Sequence, residues 1–275
     1  MIITGSGGAY IYQGNSIVVP QETPDSLLHQ EINRGLVAEA FSGIKGIDTF
    51  TVASLDGQGD IHSVNIPEGE LPLGWKAIPL RPALSIITGG TLAEGNGPAG
   101  RILRSYHVCQ WRKDSRFCGT CGGPNRDAAS GDLARQCPSC GRTEFPRISP
   151  AVIFIVINGN GDALLAHNKN FLSGIYSVIA GFNEAGESLE ETIVREAKEE
   201  VNLEVDDIRY VRSQPWPFPN SLMIGFSARS SGGEPKPDGK EIEDARWFSR
   251  DQLPELPGSA SVSRYLINLW LEGKL

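Results

Sequence analysis

The clearest hydrophobic run lies in the second half of the chain, where every residue from Ala151 to Ile157 is apolar. An unbroken apolar run of this length is typical of a strand that is covered on both faces. The turn Asn158-Gly159-Asn160-Gly161 follows, so the apolar residues 163–166 predict a second strand that pairs with the first. The pattern further on predicts a helix over 188–202, strands over 208–213, 222–228 and 245–248, and a closing helix over 262–271.

The first 115 residues have a different pattern, which predicts a separate α+β unit. Tyr10, Tyr12 and the run Ile17-Val18-Val19 predict edge strands. Further elements are predicted as a hairpin of 49–55 and 61–66, a strand over 75–80 and a helix over 101–111.

One glycine-rich segment, Gly95-Asn96-Gly97-Pro98-Ala99-Gly100, has the spacing of a dinucleotide-binding fingerprint. That fingerprint needs a strand that runs directly into the first glycine and a βαβ unit around it. Here residues 89–94 intervene and the pattern predicts no βαβ unit. We therefore expect a flexible loop at this segment.

Length and composition limit the class of protein. At about 150 residues per domain, 275 residues suggest two domains, and 40% apolar with 21% charged residues is typical of globular chains. No apolar run is long enough for a transmembrane helix, and no secretory signal is expected. The net charge of −8 argues against a general nucleic-acid coat protein. It does not exclude a phosphate substrate, because acidic sites bind phosphates through cations.

Four of the five cysteines form two pairs, Cys118 with Cys121 and Cys137 with Cys140. The spacing C-x2-C-x15-C-x2-C predicts a tetrahedral zinc site, and four thiolates leave no open position for catalysis. Paired cysteines of this kind favour a cytoplasmic metal site over disulfides. Two roles remain open for this ribbon, nucleic-acid binding and stapling of the fold, and we favour the second. The fifth, Cys109, is expected to be a buried thiol.

The segment 188–202 predicts an acidic helix. Ser188 and Glu191 form a capping box, so the helix is expected to start at Leu189. Its predicted apolar face is formed by Ile193, Ala197 and Val201, with Val194 beside it.

Three glutamates of this helix, Glu196, Glu199 and Glu200, stand at i, i+3 and i+4 and so share one arc. The arc borders the apolar face, so we expect the carboxylates at the edge of the domain rather than in open water. A solvated acidic face is the alternative, but like charges at this spacing destabilise a helix. A divalent cation would convert this repulsion into binding, and carboxylate oxygens suit Mg²⁺ or Mn²⁺.

The helix and the loop before it resemble the Nudix box, G-x5-E-x7-R-E-U-x-E-E-x-G-U, in which U is a bulky apolar residue. The matching residues are Gly181, Glu187, Arg195, Glu196, Glu199, Glu200 and Leu203. Ala197 is smaller than the expected apolar residue, and Asn202 replaces the last glycine. Asn is the usual second choice for a left-handed backbone. The resemblance implies that Glu196 and Glu200 ligate Mg²⁺ or Mn²⁺, that Glu199 is a ligand or base, and that Glu187 pairs with Arg195.

Downstream, Ser213-Gln214-Pro215-Trp216-Pro217-Phe218-Pro219-Asn220-Ser221 alternates three prolines with other residues. This pattern predicts an extended, polyproline-like path that presents Trp216 and Phe218 from a rigid backbone. Without other evidence it would indicate a stiff surface connection between strands. The segment is similar to the signature of the NADH pyrophosphatases, a Nudix subgroup that also carries an N-terminal domain and a four-cysteine zinc ribbon. The resemblance therefore covers essentially the whole chain.

The resemblance implies a set of functional residues. The substrate-binding residues would be Gln214, Pro215, Trp216, Pro217, Phe218, Pro219, Asn220 and Ser221, with weaker matches at Arg81, Asp132, Phe145 and Ser263. Glu241 would be a further metal ligand, and Ala180 would contact the metal through its backbone.

The resemblance also implies an α+β architecture, a Nudix α/β/α sandwich with a mixed sheet over 148–275. An N-terminal domain over 1–115 and a zinc ribbon over 116–147 would precede it. It implies a homodimer that splits NAD(H) into nicotinamide mononucleotide and AMP and removes NAD caps from RNA. A broader Nudix diphosphatase, acting on ADP-ribose or dinucleoside polyphosphates, and a non-enzymatic zinc-ribbon module that binds RNA or a ligand are the alternatives.

Overall fold

The computed structural model describes residues 7–172 and 174–275, which divide into two compact units. Unit 1 comprises the described residues up to Gly89 together with Glu94–Ile148 and Pro217–Asn220. Unit 2 comprises Gly90–Ala93, Ser149–Trp216 and Ser221–Leu275. The ribbon residues fall within unit 1, so the division into three domains stays a prediction.

Unit 1 is built on a six-stranded sheet. Its strands are β1 (Gly8–Gln13), β2 (Ser16–Pro20), β3 (Ile32–Asn33), β4 (Asp48–Val52), β5 (Ile61–Asn65) and β6 (Trp75–Pro79). The strand order is β4-β5-β1-β2-β6, with β3 paired to β1, and only β1 and β5 among these pairs run parallel. The helices are α1 (Arg34–Ala40), α2 (Leu80–Ile87) and α3 (Gly97–Asp114), with a short 3-10 helix at Asp25–Leu27.

Both faces of β1 are buried. Ala9 and Ile11 pack with Val37 of α1 and with Phe41 at the C-cap of that helix. On the other face, the ring of Tyr12 lies 5.5 Å from that of Tyr106 in α3. The prediction of edge strands at Tyr10, Tyr12 and 17–19 is therefore wrong, because β1 lies between β5 and β2 and β2 lies between β1 and β6. The tyrosines alternate with aliphatic residues, but a second apolar layer covers them and their hydroxyls bond internally, that of Tyr12 to Ser105.

The glycine-rich segment is not simply a loop. Helix α3 begins at Gly97 with Asn96 as its N-cap, so Gly97 to Gly100 form its first turn. Gly100 faces the carbonyl of Gly95 so closely that a Cβ would lie 2.1 Å from that oxygen. The expectation of a flexible loop is therefore wrong for residues 97–100, and the close packing of the turn explains the glycine there.

Unit 2 is a mixed sheet. Its strands are β10 (Ser149–Ile157), β11 (Ala163–Asn168), β12 (Ile179–Phe182), β13 (Asp206–Trp216), β14 (Ser221–Arg229) and β15 (Ile242–Phe248). The numbers 7 to 9 belong to three short strands of the ribbon in unit 1, β7 (Arg126–Asp127), β8 (Arg135–Gln136) and β9 (Thr143–Glu144). The order is β13-β14-β10-β11-β15, with β12 paired to β10, and β10 runs parallel to β14. The helices are α4 (Leu189–Val201) and α5 (Val262–Leu271).

Strand β10 contributes residues to both hydrophobic cores of unit 2, one on each face of the sheet. Val152, Phe154 and Val156 pack against α4, and the alternating residues Ile153 and Ile155 pack against α5. The strand is therefore covered on both faces, as the apolar run predicts, and the result is the α/β/α sandwich that the Nudix resemblance implies. The hairpin of β4 and β5, the strand β6 and the closing helix α5 are also confirmed. In the described part of the chain, no helix is long and apolar enough to cross a bilayer.

Candidate active site in unit 2 and zinc cluster in unit 1

The acidic helix starts and ends where the sequence predicts. The Ser188 hydroxyl accepts the amide of Glu191 at 3.2 Å, and the Glu191 carboxylate accepts the amide of Ser188 at 2.7 Å. Asn202 ends α4 in a left-handed conformation, with φ of 55°. Ile193, Ala197 and Val201 are fully buried, but Val194 is 41% exposed and lies outside the apolar face.

A single guanidinium holds the loop before the helix. Arg195 donates to the Glu187 carboxylate through Nε at 2.6 Å and through Nη2 at 3.0 Å. Its Nη2 also donates to the carbonyl of Phe182 at 3.0 Å. The hydrogen bonds from Arg195 lower the pKa of Glu187 to about 2. The loop is thus bonded to α4 near both of its ends.

The other terminal nitrogen of Arg195 reaches the glutamates of the arc. Nη1 donates to Glu196 at 2.8 Å and to Glu199 at 3.1 Å. Glu196 lies against β12 at Gly181, where a Cβ would come within 2.0 Å of the Glu196 carboxyl carbon. The glycine of the motif is therefore required by close packing. Burial raises the pKa of Glu196. Glu199, by contrast, points into solvent, contrary to the expected position at the domain edge.

Glu200 is the most buried of the three carboxylates, with 9% of the residue exposed. In the described part of the chain, no hydrogen bond to this carboxylate is present. Burial raises the pKa of Glu200 to about 8, and the charges of Glu196, Glu241, Asp238 and Glu199 add to the effect. Ionised Glu200 therefore needs a compensating positive charge.

The loop before β15 adds a residue that the sequence analysis missed. The backbone amide of Asp238 bonds to the carbonyl of Glu200 at 3.0 Å, which ties this loop to the end of α4. The Asp238 carboxylate accepts the amides of Glu241 at 3.1 Å and Ile242 at 2.9 Å. These bonds position Glu241, an exposed residue, next to the acidic arc. The dipeptide Asp238-Gly239 is the turn signal that could have revealed this loop.

The carboxylates of Glu196, Glu199, Glu200 and Glu241 fit a hard divalent cation, because such ions prefer oxygen ligands. In the described part of the chain, the carboxylates of this site do not bring three ligand atoms within 4.8 Å of one another. Over residues 7–172 and 174–275, the four cysteines alone bring at least three ligand atoms within 4.8 Å of one another. Arg195 donates to both Glu196 and Glu199, whereas no such bond reaches the Glu200 carboxylate in the described part of the chain. Ala180 lies on β12. Its role as a backbone ligand of the cation stays a prediction.

The four cysteines of unit 1 converge as the spacing predicts. The Sγ atoms of Cys118 and Cys140 lie 3.6 Å apart, and those of Cys121 and Cys137 lie 3.5 Å apart. Tetrahedral coordination at about 2.3 Å requires S···S distances of about 3.8 Å, so the cluster fits zinc. Backbone amides lower the pKa of the Cys118 thiol to about 6, which favours the ligating thiolate. Cys109 is buried, as expected, and burial raises its pKa to about 12.

The proline-rich segment is a strand end and a turn, not a polyproline path. Strand β13 runs on through Trp216 and pairs with β14 in register Trp216↔Ser221, so residues 217–220 form the connecting turn. The Phe218–Pro219 peptide bond is cis. Strand pairing overrides the preference of the prolines because Pro215 needs no ladder donor at an edge strand.

Two side chains of this segment have internal contacts. The Gln214 side chain, in a residue that is 1% exposed, donates to the carbonyls of Ala93 at 2.9 Å and Ala260 at 2.7 Å. Its oxygen accepts the amide of Val262 at 2.8 Å. Within unit 1, the Phe218 ring lies 5.4 Å from the Tyr106 ring.

The four weaker substrate positions are scattered over the two units. Arg81 and Asp132 are exposed, and Phe145 is 61% exposed. Ser263 is buried, and its hydroxyl lies 2.6 Å from that of Ser177. The proposed contacts of all four with substrate stay predictions, as do those of residues 214–221.

Comparison with known proteins agrees with this geometry. The chain matches the NUDIX domain over residues 147–269 and the NADH pyrophosphatase zinc ribbon domain over residues 113–145. A crystal structure of a NUDIX hydrolase from Nitrosomonas europaea shares the fold, with a TM-score of 0.50 and 23% identity over 58% of this chain and 92% of that one. Residues 147–269 therefore form a NUDIX domain. The zinc ribbon of the chain is the one found in NADH pyrophosphatases.

Two curated relatives are each similar to about three fifths of this chain. The chain is 48% identical over 165 residues to the NAD-capped RNA hydrolase NudC of Stutzerimonas stutzeri, covering 60% of this chain and 59% of that protein. It is 49% identical over 161 residues to the protein of the same name from Pseudomonas aeruginosa, covering 58% and 57%. The match thus spans about three fifths of the length of these relatives.

Proposed function

We propose that the protein hydrolyses the diphosphate bond of NAD(H) to nicotinamide mononucleotide and AMP, and that it also removes NAD caps from RNA 5′ ends. The observation that carries the proposal is the buried, unbonded carboxylate of Glu200 beside Glu196 in a Nudix loop and helix. The NAD-capped RNA hydrolases among the relatives support the choice of substrate. The whole activity remains a proposal because the match covers about three fifths of those proteins.

We assign the cation to Glu196, Glu200 and Glu241, with the backbone of Ala180 and with Glu199 as ligand or base. A bound Mg²⁺ or Mn²⁺ would neutralise the diphosphate and acidify a water molecule. Near neutral pH, Glu200 keeps a proton in the cation-free protein because its pKa is about 8. Cation affinity is therefore expected to rise with pH. Arg195 positions the loop and must release Glu199 before that carboxylate can act.

The substrate would be held by the turn segment 214–221, with Trp216 stacking on a base or nicotinamide ring. Such stacking contributes about 1–3 kcal/mol without base-edge specificity. Arg81, Asp132, Phe145 and Ser263 are proposed as further contacts. We also propose a cytoplasmic homodimer, with domains over 1–115, 116–147 and 148–275. Gel filtration at twice the monomer mass would support the dimer, and a monomer peak would contradict it.

The decisive experiment compares substrates. The purified protein is incubated with Mg²⁺ or Mn²⁺ and, separately, NADH, NAD⁺, ADP-ribose and NAD-capped RNA, and the products are resolved by chromatography. AMP and the reduced mononucleotide from NADH, with slower ADP-ribose turnover, support the proposal. Faster ADP-ribose turnover favours the broader diphosphatase. RNA binding with a steep salt dependence and no turnover favours the binding module.

Matched variants connect this activity to the site. Glu200→Gln is expected to lower kcat by about 10³-fold, because the substitution removes a charge that stabilises the cation. Glu190→Gln, an exposed glutamate on the same helix, is the control and should remain near wild type. Trp216→Ala should raise KM for NADH by about tenfold if the segment holds the dinucleotide. Normal turnover by Glu200→Gln would remove the proposed mechanism.

A further inference from the structure

Unit 1 contains a cavity of about 340 Å³ whose lining residues all belong to that unit. Four of them are cations, namely Arg112, Lys113, Arg116 and Arg135. Only two are carboxylates, Asp48 and Glu68. This concentration of positive charge is notable in a chain whose net charge is −8.

One carboxylate of the lining is already neutralised. The guanidinium of Arg112 bonds to both oxygens of Asp48, through Nε at 2.8 Å and Nη2 at 3.0 Å. Its Nη1 bonds to Asp127 at 2.6 Å. Asp48 therefore offers little repulsion to an anion that enters the cavity, and Arg112 is fixed as part of the wall.

Arg135 is a largely buried cation with one nitrogen that lacks a hydrogen bond. Its two terminal nitrogens donate to backbone carbonyls, those of Arg112 at 3.1 Å and Asn125 at 2.9 Å. Its Nε is buried without a hydrogen bond and lies 3.8 Å from Asp127, which already bonds to Arg112. Burial and the neighbouring Arg112 both lower the pKa of Arg135. A buried cation in this state is stabilised by an additional anion.

Lys113 and Arg116 complete the basic side of the cavity. Both side chains belong to exposed residues, and neither forms an ion pair with any carboxylate that the structure describes. Ile66 and Pro67 provide an apolar stretch of wall. The cavity thus combines cations that are available to a ligand with a surface that an organic group can contact.

We propose that this cavity binds a small phosphate-bearing anion. The fork of an arginine and the point charge of a lysine are the usual recognition groups for phosphate. The volume is in the range of about 300–1,000 Å³ typical of small-molecule sites. Inorganic phosphate and a nucleoside monophosphate share the required chemistry. The site lies outside the acidic helix, so it does not depend on the proposed hydrolase function.

Isothermal titration calorimetry of the zinc-loaded 275-residue chain tests the proposal. Inorganic phosphate and AMP are titrated separately at constant ionic strength, without Mg²⁺ or Mn²⁺, against wild type and the double variant Lys113→Ala/Arg116→Ala. Arg126→Ala, an exposed arginine of the same unit that does not line the cavity, is the matched control. Melting temperatures of all variants verify folding.

We expect saturable phosphate binding that the double variant weakens by at least about tenfold, which corresponds to losing one or two charge-assisted hydrogen bonds. The control should bind as wild type does. Tighter binding of AMP than phosphate, lost in the double variant, identifies a nucleotide ligand, and equal binding identifies the phosphate group alone. Equal affinities in the double variant and the control, or no saturable binding of either anion, would overturn the proposal.

Discussion

The guanidinium of Arg195 grips the carboxylate of Glu187 through two parallel hydrogen bonds, of 2.6 Å and 3.0 Å. The same side chain bonds to the Phe182 carbonyl at one end of the loop and to Glu196 and Glu199 on the helix. One residue therefore both fixes the loop geometry and balances the charges of the arc. This double role explains why an arginine, with five donors in a planar fork, occupies the position.

Replacing Arg195 should therefore impair activity more than folding. Arg195→Ala is expected to lower kcat/KM for NADH by about 10²-fold, because a misplaced loop costs this much when catalysis depends on positioning. Arg195→Lys should recover little, since an ammonium cannot make the bidentate bond. Lys198→Ala is the control, because Lys198 lies on the same helix and pairs with exposed Glu204. Activities of Arg195→Ala and Lys198→Ala within twofold of each other would contradict this role.

The buried Glu200 should make stability depend on pH. Its folded pKa of about 8 lies above the ordinary value of 4.5, so folding favours the protonated form. The contribution of this group to stability is complete below about pH 4.5 and is lost as pH rises toward 8. Each unit of such a shift corresponds to about 1.4 kcal/mol as an upper bound. Glu200→Gln keeps the shape and cannot ionise, so it should be more stable than wild type at alkaline pH.

Urea unfolding without divalent cations checks this expectation at about pH 5 and pH 8.5. The difference in unfolding free energy between Glu200→Gln and wild type should grow with pH, whereas Glu190→Gln should show a constant difference. Added Mg²⁺ should stabilise wild type more than Glu200→Gln, because cation binding favours the folded state. A difference that stays the same at both pH values would show that Glu200 is not held protonated by its surroundings.

The sequence predicts the acidic helix closely because its signals are local. The capping box of Ser188 and Glu191 and the left-handed Asn202 depend only on neighbours along the chain, and both are as expected. The apolar run of β10 likewise predicts a strand covered on both faces, and α4 and α5 cover it. The cysteine spacing predicts a ligand cluster for the same reason, since two short turns suffice to bring four thiols together.

Other features depend on contacts between distant segments, which one sequence does not reveal. The alternating tyrosines of β1 suggest a strand at the exposed edge of the sheet. In the folded protein, Tyr106 of α3 packs against Tyr12. The prolines at 215 and 217 suggest an extended path, but pairing with β14 makes the segment a strand end and a turn. Asp238 reaches the acidic site only because its loop bonds to the last turn of α4.

Loss of one zinc ligand should destabilise unit 1. Cys118→Ser is expected to abolish zinc binding at the four-cysteine cluster and to lower the melting temperature, because metal binding contributes directly to folding in structural sites. Cys109→Ala is the control, because this buried thiol lies outside the cluster. The Cys109→Ala protein should retain one zinc per chain. Zinc content by atomic absorption and thermal unfolding are the measurements. A zinc-free Cys118→Ser protein with the melting temperature of wild type would show that zinc does not stabilise the fold.

Substitution of the buried Gln214 distinguishes a structural role of this side chain from a contact with substrate. Its side chain satisfies three backbone groups in unit 2, those of Ala93, Ala260 and Val262. Gln214→Ala should therefore lower the free energy of unfolding by about 1–3 kcal/mol, because it leaves buried polar groups unpaired. Gln252→Ala, an exposed glutamine of the same unit, should change stability by less than about 0.5 kcal/mol.

Steady-state kinetics with NADH completes the test of Gln214. A purely structural side chain predicts that the Gln214→Ala enzyme, assayed well below its melting temperature, keeps the wild-type KM. A KM raised by about tenfold or more would correspond to roughly 1.4 kcal/mol of lost binding and would mean that Gln214 also contacts the dinucleotide. Wild-type stability of Gln214→Ala would instead show that the three backbone groups find other partners, and the structural role would then be wrong.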